Sequence, residues 1–192
     1  NTYLSDTALQ YWVKAYSGDW AEEQLIAYGE RCGGDLIEAG FQANENKPEF
    51  YPHDRFGKRI DLAKFHPAYH ELMRTAIEAD MHSLPWKSDK KGAHVARAGM
   101  VYQHMNADAG SGCPLTMTFA AVPALQHAPE VAKEWLPKIM APVYDERNVP
   151  YFDKKGVTIG MAMTEKQGGS DVRANTTRAY PLNEKTGNGG EY

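Results

Sequence analysis

The sequence predicts an all-α domain over residues 1–150 that hands over to the start of a β domain over residues 151–192. Two patterns carry this prediction. From residue 2 to about 142, apolar residues recur at spacings of three and four, the period of helices with one buried face. After Pro142 the runs become short, β-branched or aromatic, and bounded by glycine and turn residues. The composition supports a packed core for both parts: the 192 residues are 42% hydrophobic, 24% charged and 11% aromatic, as in a folded soluble chain.

The elements follow in order. Ser5 or Asp6 is a natural N-cap for a first helix carrying Ala8, Leu9, Trp12, Val13 and Tyr16 on one stripe. A second helical stretch from about Trp20 to Phe41 places Leu25, Ile26, Gly29, Cys32, Leu36, Ile37 and Phe41 on one side, with Gly33-Gly34 as the point where it breaks. Between residues 42 and 65, Asn44, Asn46, Pro48, Pro52, Asp54 and Gly57 mark a long loop without periodicity. Helical spacing returns from Pro67 to Met81, Lys90 to Met105, Leu115 to Gln126 and Pro129 to Met140, so helices follow one another in succession. Tyr69, Leu72, Met73, Ile77 and Met81 are expected in the core. Val157–Met163 and Asn175–Leu182 read as strands, the second running into turn residues Asn183, Gly187 and Asn188. The stop at Gly189-Gly190-Glu191-Tyr192, where a returning strand is expected, makes the chain read as a fragment.

Charge and cysteine usage narrow the class. Lys and Arg number 21 against 25 Asp and Glu, a net charge of −4, which is not the cationic field of a nucleic-acid binder. Cys32 and Cys113 have no metal or redox spacing, so a reducing compartment, by default the cytoplasm, is expected. No apolar run is long enough for a membrane helix, and no membrane partner is expected.

The segment Met161-Ala162-Met163-Thr164-Glu165-Lys166-Gln167-Gly168-Gly169-Ser170-Asp171-Val172-Arg173-Ala174 carries the chemistry. It offers hydroxyls at Thr164 and Ser170, and two glycines whose bare backbone admits a close ligand. Such an edge suits a flat polar ring or a phosphate. A flavin needs donors along its polar edge and apolar backing for its face, which Met161 and Met163 could supply. Spacing alone leaves open that Gly168–Asp171 is only a turn in which Asp171 bonds its own backbone.

The string resembles the first signature of the acyl-CoA dehydrogenase family at Ala162, Met163, Thr164, Glu165, Gly168, Gly169, Ser170, Asp171 and Ala174. Further stretches are similar to the AidB branch of that family, flavoproteins of the bacterial adaptive response to alkylation damage. These are Tyr3–Asp6, Asp54–Asp61, Phe65–His70 and Gly112–Leu125. The resemblance implies an acyl-CoA dehydrogenase-like helical bundle, then the start of a β-barrel-like middle domain, in a homotetramer. It implies FAD as cofactor, with Met161, Ala162, Met163 and Thr164 lining the flavin, Thr164 near N5, and Gly169 and Ser170 completing the turn. The serine matching Ser170 serves the thioester in acyl-CoA dehydrogenases and faces FAD in the AidB branch. Glu165 and Asp171 are expected to hold the turn through backbone hydrogen bonds.

The reaction implied is oxidation of an acyl-CoA thioester, with α-proton abstraction and β-hydride transfer to flavin. The family's base is a glutamate of the C-terminal bundle, beyond Tyr192, so no catalytic residue can be named in this chain. The alternative implied is an AidB-like flavoprotein with a protective, DNA-binding role through its C-terminal part and little dehydrogenase activity. A third reading, a self-sufficient helical interaction domain, is disfavoured by the unpaired strand edge it would leave. Other candidates are weaker. His66 and His70 stand at i, i+4 but lack a third metal ligand, and are expected to cap and pack. Cys113 before Pro114 reads as a buried cysteine at a helix start, and Arg55, Lys58 and Arg59 as a solvated basic loop.

Overall fold

A computed structural model describes residues 1–182; the turn residues Asn183, Gly187 and Asn188 lie outside the described residues. Asp6 caps the first helix, α1 (Thr7–Ser17), by accepting from the Leu9 amide at 2.8 Å. The double glycine divides the next stretch into α2 (Glu22–Cys32) and α3 (Asp35–Glu45). Leu25, Gly29, Cys32 and Leu36 face inward as expected, whereas Ile37 and Phe41 lie on the exposed side of α3.

The stretch expected as a loop contains an antiparallel hairpin, β1 (Glu49–His53) and β2 (Arg59–Lys64). Sequence periodicity misses it because no residue of either strand is fully buried, so burial imposes no alternation. Its turn is built by Asp54, whose carboxylate accepts the Phe56 and Lys58 amides at 2.8 and 3.0 Å, with Gly57 at φ +82°. The register slips between Tyr51 and His53, where Pro52 needs no ladder donor and Asp61 opposite adopts φ +44°. Arg55, Lys58 and Arg59 are exposed on this turn, and Arg59 pairs with Asp61 at 2.7 Å.

The remaining helices are α4 (Pro67–Glu78), α5 (Leu84–Lys87), α6 (Ala93–Ala107), α7 (Gly112–Leu125) and α8 (Pro129–Ile139). His66 caps α4, its Nδ1 accepting the Ala68 amide at 3.2 Å, with Pro67 in the first turn. Helix α6 is the hub, packed against α1, α2, α3, α5 and α7. Its small residues allow this. A Cβ on Gly99 would lie 3.2 Å from Val13, while Gly40 of α3 crosses so closely that a Cβ there would meet the Ala107 carbonyl oxygen at 2.1 Å. Leu72, Met73, Ile77, Met81, Met100 and Leu115 fill the core, and Tyr69 packs at its margin.

A polar chain crosses this core. Asn44 and Ser111 donate to the Asp108 carboxylate, the Ser111 hydroxyl at 2.5 Å and its amide at 2.7 Å. With the serine proton committed, His104 Nε2–H donates to Ser111 Oγ at 2.7 Å, and the Tyr28 hydroxyl donates to Nδ1 at 2.8 Å. One neutral tautomer of His104 satisfies every partner. Burial pushes His104 down to about 4. Burial alone would raise the Asp108 carboxyl, but its hydrogen bonds from Ser111 and Asn44 leave it lowered. Among the described residues no helix is long and apolar enough to cross a membrane.

The expected strands Val157–Met163 and Asn175–Leu182 form no ladder among the described residues; beyond the β1–β2 hairpin these hold an isolated bridge between Glu165 and Gly168. A strand is defined by a partner for its N–H and C=O groups, and neither segment pairs with a strand among the described residues.

Candidate cofactor-binding segment

The signature segment projects from a clamp built by α7 and α8. Lys138 of α8 reaches past its helix end and donates to the carbonyls of Tyr151, Phe152 and Lys154 at 3.0, 3.0 and 2.6 Å. Tyr151 stacks on Trp135, with ring centroids 4.2 Å apart. Gly156 then passes so close to residue 143 that a Cβ would lie 2.0 Å from the Val143 carbonyl oxygen. The Val157 amide donates to Lys138 O at 3.2 Å and the Ile159 amide to Thr118 Oγ1 of α7 at 3.0 Å.

Beyond that clamp, Met161, Ala162, Met163 and Thr164 are exposed, with Met161 at 46% and Met163 at 57%. Among the described residues, none of their four backbone N–H groups donates to another group of the protein. The chain then folds back on itself. Gly168 N–H donates to Glu165 O at 3.2 Å, Asn175 Nδ2 to Met163 O at 2.7 Å, and the Thr176 and Thr177 amides to the two Glu165 carboxylate oxygens, each at 2.8 Å. Hydrogen bonds from the Thr177 hydroxyl, the Gln167 amide and these two backbone amides hold the Glu165 carboxyl down to about 2. Glu165 therefore ties the turn as expected. Asp171 contributes its carbonyl, which accepts the Ala174 amide at 3.1 Å.

Gly169 and Ser170 follow on the exposed side of the turn. A Cβ on Gly169 would make only ordinary contact, 3.5 Å from Thr164 Cγ2. Among the described residues, nothing demands a glycine there. The segment thus carries two exposed thioether side chains, amides without a partner among the described residues, and the exposed residues Thr164 and Ser170 with their hydroxyls, a donor set that would suit the polar rim and apolar face of a flavin.

The other candidates resolve differently. His70 Nδ1 pairs with the Tyr144 hydroxyl at 2.8 Å, and burial lowers its pKa. Among the described residues, no group of three His, Cys, Asp or Glu side chains is placed to hold a metal. Cys113, expected buried, is exposed in the first turn of α7, while Cys32 is fully buried and its thiol pushed up to about 12. A cleft of about 370 Å³ lies between β2, α4 and residues 141–158, lined by Phe65, Tyr69, Met73 and Tyr144, with Val157 and Thr158 as one wall. Thr118, Lys138 and Gly156 escape sequence reasoning because each is defined by its contact across the fold.

Comparison with known proteins fixes the lineage. Residues 1–146 match the family described as the adaptive response protein AidB N-terminal domain. Over 187 residues the chain is 43% identical to AidB of Escherichia coli (strain K12), named there as a candidate acyl-CoA dehydrogenase, covering 96% of this chain and 35% of that protein. It is 28% identical over 151 residues to acyl-CoA dehydrogenase family member 11 of Caenorhabditis elegans, covering 77% of this chain and 24% of that one. Among solved structures, Bd2924 in its apo form superposes with a TM-score of 0.80 at 26% identity, over 98% of this chain and 37% of its own. The C. elegans ACDH-11 complex with C11-CoA shares the fold, with a TM-score of 0.74 at 22% identity, over 91% of this chain and 30% of its own. The chain spans about a third of the length of the E. coli protein it matches.

Proposed function

Because this chain belongs to the AidB N-terminal domain family, within the acyl-CoA dehydrogenases, we propose that it is the N-terminal part of a FAD-dependent oxidoreductase acting on an acyl-CoA thioester. Residues 1–150 form the helical domain and 151–192 open the β domain. The observation that carries this reading is the edge built by Met161, Ala162, Met163, Thr164, Gly169 and Ser170, with its exposed methionines and unspent amides.

These residues would hold the flavin, which when bound supplies the acceptor for a hydride leaving the thioester β-carbon. The unspent amides and the Thr164 hydroxyl donate toward the ring edge, where fixed donors favour negative charge. Met161 and Met163 exclude water from one face of the ring. Gly169 lets the ring or the thioester approach its backbone, and the Glu165 ties keep the turn in one geometry. The α-proton would go to a base that the family resemblance places in a C-terminal bundle.

Flavin content tests this directly. The complete gene product is expected to purify yellow with FAD in a homo-oligomer, and to lose FAD when Gly169 is replaced by Val; a protein that purifies and refolds without affinity for FAD overturns the reading.

A second reading is favoured by the family's description as an adaptive response protein: a flavoprotein that protects DNA, with little dehydrogenase activity. With a net charge of −4 on this chain, duplex binding would come from the rest of the protein. Duplex affinity that falls steeply with salt supports it, and salt-independent binding rules out a phosphate-driven mode.

A further inference from the structure

We infer that Thr118 is a positioning residue for the flavin edge, setting from α7 the register in which Met161–Thr164 is presented. The inference rests on the proposed flavin reading. Thr118 is fully buried in the middle of α7. A threonine hydroxyl has one proton and two lone pairs. The proton goes to the Pro114 carbonyl one turn back at 2.7 Å, which fixes the rotamer and aims the lone pairs outward from the helix. One of them accepts the Ile159 amide at 3.0 Å.

The position of that bond in the chain gives it its role. Among the described residues, it is the only hydrogen bond made by the main chain between Val157, bonded to Lys138 O, and Met163, bonded to Asn175. Only Gly160 separates Ile159 from Met161. A slip of one residue in an extended run would carry each side chain to the opposite face, so the methionines would lose the side they share. Lys138 and Gly156 hold residues 151–157 in place, but neither reaches the segment beyond. The hydroxyl of Thr118 is therefore the link through which the helical domain fixes the cofactor edge.

The test uses the complete gene product and three variants. Thr118→Val keeps the shape and removes the hydroxyl, leaving the Ile159 amide unpaired. Thr118→Ser keeps the hydroxyl. Thr118→Ala, read against Thr118→Ser, isolates the same hydroxyl should the valine variant fold poorly. The readouts are the FAD dissociation constant, the visible flavin band and hydrogen exchange at the Ile159 amide. We expect Thr118→Val to weaken FAD binding about tenfold, the scale of one orphaned amide, with a shifted flavin band and faster exchange at Ile159. Thr118→Ser should stay within about twofold of wild type. Wild-type affinity and spectrum in Thr118→Val, or equal losses in the serine and alanine variants, would overturn the inference while leaving the flavin reading intact. A wild-type protein with no affinity for FAD would overturn the flavin reading itself, and the inference with it.

Discussion

Acidification should unfold the helical domain through two histidines that the fold keeps neutral. His104 is fully buried and His82 is 1% exposed. In the unfolded chain each titrates near 6.5, and burial pushes both down to about 4. Between those values the unfolded state binds more protons than the native one, so stability rises with pH across the window. The contribution is complete above about pH 6.5 and is lost as pH falls toward 4. A shift of this size corresponds to about 3 kcal/mol per histidine, a large share of a marginal fold's stability. Urea denaturation followed by far-UV circular dichroism, repeated between pH 7.5 and 4.5, should show the midpoint dropping with a slope approaching two protons. His104→Gln offers a donor and an acceptor to Ser111 and Tyr28 without titrating, and should lower that slope by about one proton. A flat midpoint across the window, or an imidazole signal of His104 titrating near its ordinary value by NMR, would refute the burial argument.

Three further outcomes follow from close contacts. Gly40→Ala places a Cβ 2.1 Å from the Ala107 carbonyl oxygen, and forcing α3 off α6 should cost about 1–3 kcal/mol in a thermal melt. Asp6→Ala removes the acceptor for the Leu9 amide and should cost about 1 kcal/mol, read as fraying of α1 by hydrogen exchange. Glu165→Gln retains an acceptor but turns an NH₂ group toward the Thr176 and Thr177 amides. The turn over residues 163–177 should then open, seen as faster tryptic cleavage at Arg173, while the helical melt stays unchanged.

The helices were legible because their signals are local. Asp6 before an apolar stripe, Gly33-Gly34 between two stripes, and Pro67 and Pro129 in first turns each act within a few residues of themselves. The hairpin was not, because a strand with two open faces leaves no period of two, and its Asp54 and Gly57 signals read equally as loop. The exposure of Cys113 is hidden from sequence for a related reason. Its position at a helix start is visible in sequence, but which way that turn faces depends on the packing of α7 against its neighbours. The residues of the candidate edge from Met161 to Ser170 are visible in sequence, and so is Glu165 as a tie. The anchoring of that edge is not. Thr118 and Ile159 are 41 residues apart, and nothing in either local sequence announces the other. The expected strands at Val157–Met163 and Asn175–Leu182 have strand composition, but pairing is a property of two segments, and neither finds a partner strand among the described residues.

The proposed oxidoreductase activity is tested most directly by anaerobic titration of the complete, flavin-loaded gene product with acyl-CoA thioesters of graded length and branching, followed at the oxidised flavin band. Bleaching of that band by one class of thioester is the expected result and identifies the substrate class. A band unchanged across the whole panel would contradict thioester oxidation and leave the protective flavoprotein as the reading to pursue.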